Sequence, residues 1–249
     1  MKRGIAVAQR IKGTPGITGL SFPRVHIDGR VWHLKHLGWA GRDVGQASAN
    51  NGGAHACASE WRSKLGNTVG SLSEVQRQIV VGSLLGDGSM RCKTNALLEI
   101  NHSSHQRSYV DWKYRHLADL VRTPPKARRG NGARIAYRFV TRSLPELTPY
   151  FELFYGTGRK RIPELEHKEL TLAVWFMDDG CRSRNAVYLN TQQYDQTSQS
   201  TLLRLLRQQW GIEGALNRDK SYYRVRLSVE GTRKLGRIFC QSSGTSFRK

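Results

Sequence analysis

Cysteine is scarce in this chain of 249 residues, and long apolar runs are absent. None of the four cysteines forms a Cys-x-x-Cys pair, so the sequence supports neither a zinc ribbon nor a framework of disulfide bonds. We therefore expect a reduced, intracellular protein that is not secreted. No stretch of about 18 apolar residues occurs and no signal-like hydrophobic segment follows Met1, so we expect no membrane partner.

Acidic residues are also few, because 19 aspartates and glutamates stand against 40 lysines and arginines, a formal net charge of +21. This excess is larger than solubility requires, so it favours a polyanion as the partner. The basic residues are spread along the chain rather than gathered on one amphipathic helix, which favours nucleic acid over an anionic membrane. Arginine outnumbers lysine, which indicates a GC-rich gene, and we expect a bacterial cytoplasm or an organelle (mitochondrion or chloroplast) as the location.

Residues 1–71 differ in composition from the remainder and are interpreted as a basic, glycine-rich N-terminal arm that is expected to be poorly ordered, or as a small irregular module. This segment holds 12 of the 25 glycines, and its basic residues outnumber its acidic ones. Asn50-Asn51-Gly52-Gly53 is a strong break in regular structure, and only Val31–Leu34 has the pattern of a short strand. The spacing of four potential ligands fits no standard zinc finger, which disfavours a zinc site at His33, His36, His55 and Cys57.

Two apolar runs further along the chain end in the same way. VVGSLLGDG (80–88) and LAVWFMDDG (172–180) are both helical in pattern, and both stop at an Asp-Gly pair. Ser73, followed three residues later by Gln76, predicts a capping box at the start of the first helix. A carboxylate at a helix C-terminus opposes the helix dipole, so two such ends indicate that the acids have a function.

Small residues in the first of these helices predict that the two helices pack closely. Gly82 and Gly86 lie one turn apart, while the matching places in the second helix hold the bulkier Val174 and Asp178. Close packing would bring Asp87 and Asp179 together at one end of the helix pair. Because two neighbouring carboxylates repel each other, this arrangement predicts a divalent metal site, which could activate water and hold a phosphate.

The order of elements occurs twice after residue 72. Each copy is predicted as helix, two strands, helix, two strands, helix, so we expect an α+β fold. Besides the two motif helices, apolar periodicity predicts helices over Ser108–Val121, Glu146–Phe154, Ser198–Trp210 and Gly231–Phe239. Alternating patterns predict strands over Ala96–Asn101, Arg134–Arg142, Val187–Gln192 and Tyr223–Val229.

Two of the predicted strands have one basic face, and they occupy matching places in the two copies. The basic residues are Arg134, Arg138 and Arg142 in the first strand, and Arg224 and Arg226 in the second. A two-stranded ribbon fits the major groove of DNA, and arginine commonly reads guanine there. The repeated basic faces therefore predict contacts with DNA or RNA.

The two motifs resemble the signature helices of the LAGLIDADG homing endonucleases. More narrowly, they are similar to those of single-chain, intron-encoded members whose second motif is WFMDDG. The similarity runs from Leu72 to Lys249 and includes text outside the motifs, namely Thr123-Pro124-Pro125, Gly158–Pro163 and Leu189–Gln192. Residues 1–71 lie outside it.

The resemblance implies two pseudo-symmetric αββαββα repeats, residues 72–165 and 166–249, each with an antiparallel sheet that forms part of a DNA-binding saddle. It implies a monomer that makes a staggered double-strand break in a long asymmetric site of double-stranded DNA, for intron homing. The cofactor would be Mg²⁺, with Mn²⁺ as a substitute. The last acid of each motif, Asp87 or Asp179, would be a metal ligand and catalytic residue, while Asp178 would be structural.

The resemblance also implies roles for residues outside the motifs. Lys160 matches a basic residue near one active centre, and Arg248 takes the place of the corresponding lysine of the other centre. Arginine and lysine are not interchangeable, so the two centres would differ in rate. Gln192 matches a polar residue that helps to order metal-bound water, and its counterpart in the first half would be Glu99 or Asn101.

Three functions are compatible with this resemblance. The first is a DNA endonuclease that spreads its own intron, and the second is a maturase that binds intron RNA with the same fold. The third is a regulator that binds DNA without cutting it. Both Asp87 and Asp179 are present, which disfavours the third function.

Overall fold

The computed structural model describes residues 24–27, 30–33, 72–130 and 134–241. Two short strands in the N-terminal segment, β1 (Arg24–Ile27) and β2 (Arg30–His33), form an antiparallel pair. Strand β2 overlaps the strand predicted at Val31–Leu34. The potential zinc ligands of this segment and the C-terminal candidate site residue lie outside the described side chains: His33, His36, His55, Cys57 and Arg248.

Two units with the same order of elements follow. The first contains α1 (Glu74–Leu85), β3 (Ser89–Cys92), β4 (Ala96–Ser103), α2 (Arg107–His116), β5 (Lys126–Arg129), β6 (Ile135–Val140) and α3 (Thr148–Tyr155). The second contains α4 (Glu169–Asp179), β7 (Gly180–Ser183), β8 (Ala186–Leu189), α5 (Gln196–Trp210), β9 (Gly214–Asp219), β10 (Tyr222–Leu227) and α6 (Val229–Gln241). Each unit has an antiparallel sheet, ordered β3-β4-β6-β5 or β7-β8-β10-β9. The predicted α+β fold of two αββαββα repeats is confirmed.

Several predicted boundaries are wrong. Two strands are expected at each place, but the alternation locates only the inner ones and not the edge strands β3, β5, β7 and β9. An edge strand needs few apolar side chains, so its sequence lacks clear alternation; all four residues of β5 are exposed. The helix predicted over Ser108–Val121 ends at His116, because a separate 3₁₀ turn buries Leu120. Strand β8 ends at Leu189, so Gln192 lies in the turn that follows it.

Local capping explains where the main helices begin and end. The Ser73 side chain accepts from the Gln76 backbone N–H at 3.3 Å, and the Gln76 side chain accepts from the Ser73 N–H at 2.9 Å, so the predicted capping box is confirmed. Asp195 is the N-cap of helix α5, and its carboxylate accepts from the Ser198 N–H. Gly211 is the C-cap of this helix and has a φ of 60°, which favours glycine.

Helices α1 and α4 pack against each other through glycine at the centre of the molecule. A Cβ added at Gly82 would lie 2.7 Å from Val174 Cβ and from the Thr171 carbonyl oxygen. One added at Gly86 would lie 2.8 Å from Asp178 Oδ2. Both distances are too short for non-bonded atoms, so only glycine permits this approach. The close, asymmetric packing predicted from the sequence is therefore present.

The change Gly82→Ala should lower the free energy of unfolding by about 1–3 kcal/mol, because the added methyl group overpacks the interface. This loss should appear although alanine has the better intrinsic helix propensity, by about 1 kcal/mol. Urea unfolding followed by circular dichroism measures the difference. Adding Gly82→Ala to Val174→Ala should cost less than adding it to the wild type, since the valine supplies part of the clash. A more stable Gly82→Ala protein would contradict this packing.

A buried histidine lies in the segment that joins the two units. His167 is 2% exposed, and neither ring nitrogen has a hydrogen-bond partner among the described residues. Burial lowers the pKa of His167 from 6.5 to about 4. The neutral ring is therefore the form that the fold accepts.

The histidine should make the protein sensitive to acid. Because its folded pKa is depressed, its stabilising contribution is complete above pH 6.5 and is lost as the pH falls through about 4. At about 1.4 kcal/mol per pH unit, the gap of roughly 2.5 units amounts to roughly 3 kcal/mol. The unfolding free energy of the wild type minus that of His167→Leu should rise by about this amount from pH 4 to pH 7. A difference independent of pH would contradict it.

Buried side chains from both units form one hydrophobic cluster. It includes Ile79 and Leu84 of α1, Val174 of α4, Leu202 of α5 and Phe239 of α6. Because the core is shared, the C-terminal ends of α1 and α4 have a fixed position relative to both sheets. Among the described residues, no helix has the length and apolar character needed to cross a membrane.

Candidate active site

The two motif acids stand at the adjoining ends of the central helices. Asp87 follows α1, and about half of its side chain is exposed; Asp179 is the last residue of α4 and is buried. Burial, followed by the charges of Asp87 and Asp178, raises the pKa of Asp179 to about 8. The motif acids therefore lie close enough to repel each other, and the site favours a positive charge between them.

Asp87 has a different environment from Asp179. Burial acts to raise its pKa, but contact with His102 and the charges of Lys113 and Lys160 outweigh this, so the pKa of Asp87 lies below its usual value. His102 Nδ1 lies 3.4 Å from Asp87 Oδ2. The first-unit acid is thus surrounded by basic groups, whereas the second-unit acid is buried and crowded by carboxylates.

Lys160, which the resemblance places at one active centre, lies beside both acids. Its Nζ donates to the carbonyl oxygens of Gly86 and Gly88, both at 2.8 Å. Burial lowers the pKa of Lys160 to about 8, and the negative charge of Asp179 is the largest effect that opposes this. A cation at the C-terminal end of α1 also complements the helix dipole.

A second group of donors also reaches the end of α1 from the other unit. The Tyr194 hydroxyl lies 2.9 and 3.0 Å from the carbonyl oxygens of Leu84 and Leu85. Gln193 Nε2 donates to the Gly86 carbonyl oxygen at 3.4 Å. These contacts satisfy carbonyl groups that a helix end leaves without intrahelical partners.

The side chain of the predicted polar residue Gln192 makes its hydrogen bond to another residue of the second unit, and its role at the site stays a prediction. Its Nε2 donates to Asp219 Oδ2 at 3.1 Å, on the last residue of β9. Its neighbour Gln193 contacts the end of α1 through the Gly86 carbonyl oxygen. Two residues are proposed as the first-unit counterpart of Gln192. Of these, Glu99 pairs with two arginines and Asn101 is exposed. The residue of β4 that contacts Asp87 is His102.

Four side chains lie behind Asp87 and are named here the buried cluster: His102, Tyr109, Lys113 and Asp178. Asp178 is expected from the sequence as a structural residue, whereas sequence reasoning missed the roles of the other three. Lys113 and Asp178 are fully buried, and Lys113 Nζ donates to both oxygens of that carboxylate, at 2.9 and 3.0 Å. The Tyr109 hydroxyl donates to Asp178 Oδ1 at 2.8 Å. The sequence contains one sign that Lys113 is buried. Lys113 stands four residues from Tyr109 and four from Leu117, so it lies on the apolar side of the predicted helix.

The donor atoms at the acids suit a hard divalent cation. Asp179 Oδ2 is buried and has no hydrogen-bond partner among the described residues, so one oxygen is available for a ligand. The part of the chain that the structure describes contains no group of three or more histidines, cysteines or acids arranged to hold a metal. Mg²⁺ is commonly held by one or two carboxylates, with water and phosphate oxygens as its other ligands. The two acids fit that pattern.

The open face of the first sheet alternates charge. Glu99 accepts from Arg91 at 3.1 Å and from Arg138 at 2.9 Å, so one carboxylate holds two arginines. Lys126 pairs in register with Arg138 and therefore lies on the same face. Of the three arginines predicted on this face, only Arg138 lies within β6, and contact of all three with DNA stays a prediction. Arg134 precedes β6, and Arg142 follows it and donates to a backbone carbonyl, because the strand is shorter than its pattern predicts.

The open face of the second sheet stacks arginine on tyrosine. The guanidinium groups of Arg224 and Arg226 lie 4.3 and 6.0 Å from the centre of the Tyr188 ring. Arg226 is the register partner of Tyr188, which places both arginines on one face, as the alternation predicts. Tyr222 continues this face and is 60% exposed. The two sheets thus present basic but chemically different surfaces.

Comparison with known proteins agrees with this geometry. Residues 77–235 match the LAGLIDADG DNA endonuclease family. The chain is 40% identical over 119 residues to the protein RecA of Mycobacterium gastri, and 36% identical over 118 residues to that of Mycolicibacterium chitae. These alignments cover 44% of this chain but only 27% and 26% of those proteins, so the chain spans about a quarter of the length of the curated relatives it matches.

The fold is also similar to that of a solved structure, the homing endonuclease I-WcaI bound to its DNA recognition sequence. The TM-score is 0.62, with 20% sequence identity, and the match covers 75% of this chain and 88% of that chain. At this level of identity the similarity establishes a shared fold.

Proposed function

We propose that this chain, which belongs to the LAGLIDADG DNA endonuclease family, cuts both strands of double-stranded DNA at one long asymmetric site. In this proposal it acts as a monomer of the single-chain, two-motif type, and residues 72–165 and 166–249 are its two repeats. Residues 1–71 form a basic arm outside them. Intron homing is the proposed biological role, inside a bacterial cell or an organelle.

The observation that carries the proposal is the placement of the two acids. Asp87 follows α1 and Asp179 ends α4, and the charge of Asp87 raises the pKa of Asp179. Both acids belong to units whose sheets present arginines. A duplex bound across both sheets would have its two strands near one acid each. This explains why the same helix ending occurs twice in one chain.

The chemistry is phosphodiester hydrolysis, in which a water oxygen bonds to phosphorus while the bond to the leaving oxygen breaks and that oxygen gains a proton. Asp87 and Asp179 would hold Mg²⁺, for which Mn²⁺ would substitute. When bound, the cation would polarise the phosphate and favour deprotonation of the attacking water. Lys160, fixed by the Gly86 and Gly88 carbonyls, would stabilise negative charge on the phosphate.

The sheets would supply affinity and sequence preference. Lys126 and Arg138 on the first face and Arg224 and Arg226 on the second would contact phosphates and base edges. An arginine that a neighbouring side chain already holds loses less side-chain freedom on binding than a free one. Glu99 and Tyr188 would therefore preorganise the arginines that contact them.

The proposal is tested by incubating the purified chain and Mg²⁺ with two kinds of substrate. One is a library of randomised duplexes, and the other is the gene that carries the intron, in its intron-free form. Recovery of one family of staggered double-strand breaks is the expected result. The Asp87→Asn/Asp179→Asn double variant, purified in parallel, controls for contaminating nucleases. If the wild type cuts no duplex with either Mg²⁺ or Mn²⁺, the endonuclease proposal fails.

The same preparations distinguish an endonuclease from the alternative function, that of an intron RNA maturase. An intron RNA maturase would bind its intron RNA tightly and promote its splicing without cutting the host duplex. Splicing assays with and without the protein measure this. A discrete DNA break combined with no effect on splicing would leave the endonuclease as the function.

A further inference from the structure

His102 connects the buried cluster to Asp87. Its Nδ1 lies 3.4 Å from Asp87 Oδ2, while its Nε2 faces Lys113 Nζ at 3.4 Å. An ammonium group has protons but no lone pair, so Nε2 must present its lone pair to Lys113. The proton of the neutral imidazole then sits on Nδ1, the ring nitrogen nearer to Asp87. Nδ1 makes no hydrogen bond among the described residues, so its 3.4 Å approach to Asp87 Oδ2 is an electrostatic contact. His102 is 1% exposed at its side chain, so this orientation is held by packing.

The buried cluster also joins the two units. His102 belongs to β4 and Lys113 to α2, both in the first unit, whereas Asp178 belongs to α4 of the second. Asp178 immediately precedes Asp179 in the chain. The position of Asp87 is therefore linked, through three side chains, to the end of the helix that carries the other acid.

In the described part of the second unit, the positions that correspond to His102 and Lys113 hold residues of a different kind. His102 stands five positions before the first residue of α2 (107 − 102), and Lys113 stands six after it (113 − 107). The same offsets from Gln196, the first residue of α5, lead to Thr191 and Leu202. Leu202 is fully buried and apolar, and Thr191 accepts from the Val225 N–H. No histidine or lysine therefore stands behind Asp179 at these positions.

Folding by itself does not require a charged pair at this place. Burying lysine and aspartate costs desolvation energy, and well-packed apolar residues often serve stability equally well or better. The second unit shows the apolar solution, with Leu202 at the position that corresponds to Lys113. The charged solution in the first unit therefore indicates a role in the site rather than in packing alone.

We infer that the buried cluster is a positioning device for Asp87, which makes the first active centre structurally distinct from the second. His102 orients the Asp87 carboxylate for metal binding, and Lys113 with Asp178 fixes the orientation of His102. This inference rests on the proposed function. Its consequence is that damage to the cluster slows the cut made at the Asp87 centre more than the cut made at the Asp179 centre.

The test compares His102→Leu, His102→Gln and His167→Leu with the wild type. The substrate is the duplex that the wild type cuts, labelled on both strands, so that single-turnover rates are obtained for each strand. His102→Leu should slow one strand about 10–100-fold, the range for residues that orient metal ligands. His102→Gln should recover part of this, because an amide retains one donor and one acceptor. His167→Leu removes a buried imidazole elsewhere and should leave the ratio of strand rates unchanged.

Metal binding supplies a readout that does not depend on cleavage. Titration of the protein alone with Mn²⁺, followed by the EPR signal of the free ion, should show weaker binding by His102→Leu and not by His167→Leu. If the wild type binds Mn²⁺ and cuts, while His102→Leu matches it in Mn²⁺ affinity and strand ratio, the inference fails and the endonuclease proposal stands. Weaker Mn²⁺ binding by His102→Leu with no cleavage by the wild type would sink the proposed function alone. A wild type that neither binds Mn²⁺ nor cuts would overturn both.

A double variant without the buried charges separates an effect on the site from a loss of folding. Lys113→Met/Asp178→Asn removes both charges but keeps similar shapes, so its thermal midpoint should remain close to that of the wild type. The double variant should show the same strand-biased slowing as His102→Leu. A folded double variant that cuts both strands at the wild-type ratio would show that the cluster serves packing only.

Discussion

Replacing Asp87 or Asp179 with asparagine should reduce double-strand cleavage by about 10³-fold or more, the scale of losing a group that stabilises charge in the transition state. Asparagine keeps the shape of the side chain but removes the negative charge that would hold a divalent cation. DNA affinity should stay within about tenfold, because contacts to phosphates carry most of it. Gel assays of cleavage with Mg²⁺, and of binding with Ca²⁺, measure the two effects separately.

Asp195→Asn is the matched control for these variants, since it makes the same change at the exposed N-cap of α5, where asparagine caps as well as aspartate. It should cut DNA at the wild-type rate. Cleavage at the wild-type rate by Asp87→Asn or Asp179→Asn would remove that acid from the mechanism.

Asp179→Asn should lower the cleavage rate without lowering the stability of the folded protein. Burial, with the charge of Asp87, raises the pKa of Asp179 from 3.8 to about 8. Its contribution to stability is therefore complete below pH 4 and is lost as the pH rises through about 8. Asparagine stays neutral, so the metal-free variant should be at least as stable as the wild type at pH 8. Thermal unfolding at this pH distinguishes lost chemistry from lost structure.

Replacing Lys160 with methionine should slow cleavage of one strand about 10²-fold or more, with a smaller effect on the other. The ammonium group bridges the Gly86 and Gly88 carbonyls on either side of Asp87, so its loss removes a fixed positive charge from one centre. A plasmid carrying the target site should therefore accumulate as the nicked form before it becomes linear. Equal slowing of both strands would contradict a role at one centre.

Lys234→Met is the matched control for this change. Lys234 Nζ also donates to the carbonyl oxygen of a glycine at a helix end, Gly211, at 2.7 Å, but it lies on α6 outside the site. Its loss should lower stability slightly and leave both strand rates unchanged. Strand-biased nicking by Lys234→Met would mean that the effect of Lys160→Met arises from the helix end rather than from the active centre.

The two centres differ in their surroundings, and this difference has a common cause. A homodimer has identical sites because one sequence folds twice, whereas a single chain with two units can change each unit independently. Here the acid of the first unit contacts His102 and has a lowered pKa, whereas the acid of the second is buried and has a raised pKa, although the charge of Lys160 acts on both. Unequal strand rates are therefore the natural expectation for this chain.

The helices, the inner strands and the two acids could be predicted from the sequence alone. Apolar periodicity and the capping residue Ser73 depend on neighbours a few positions away, so they can be read from the chain. The same holds for the Asp-Gly endings at Asp87 and Asp179, and for the alternation that puts Arg224 and Arg226 on one face. Their local character explains why the fold of two αββαββα repeats was predictable.

Only the tertiary structure decided which side chains meet at the acids. Lys113 finds Asp178 65 residues away, and Tyr194 reaches Leu84 110 residues away. Such contacts depend on how α1, α4 and the sheets pack, and no local pattern encodes that packing. For the same reason the turn after β8 brings Gln193 into contact with the end of α1, while Gln192 donates to Asp219. Charge and periodicity are properties of segments, whereas the partners of a buried group are set by the whole fold.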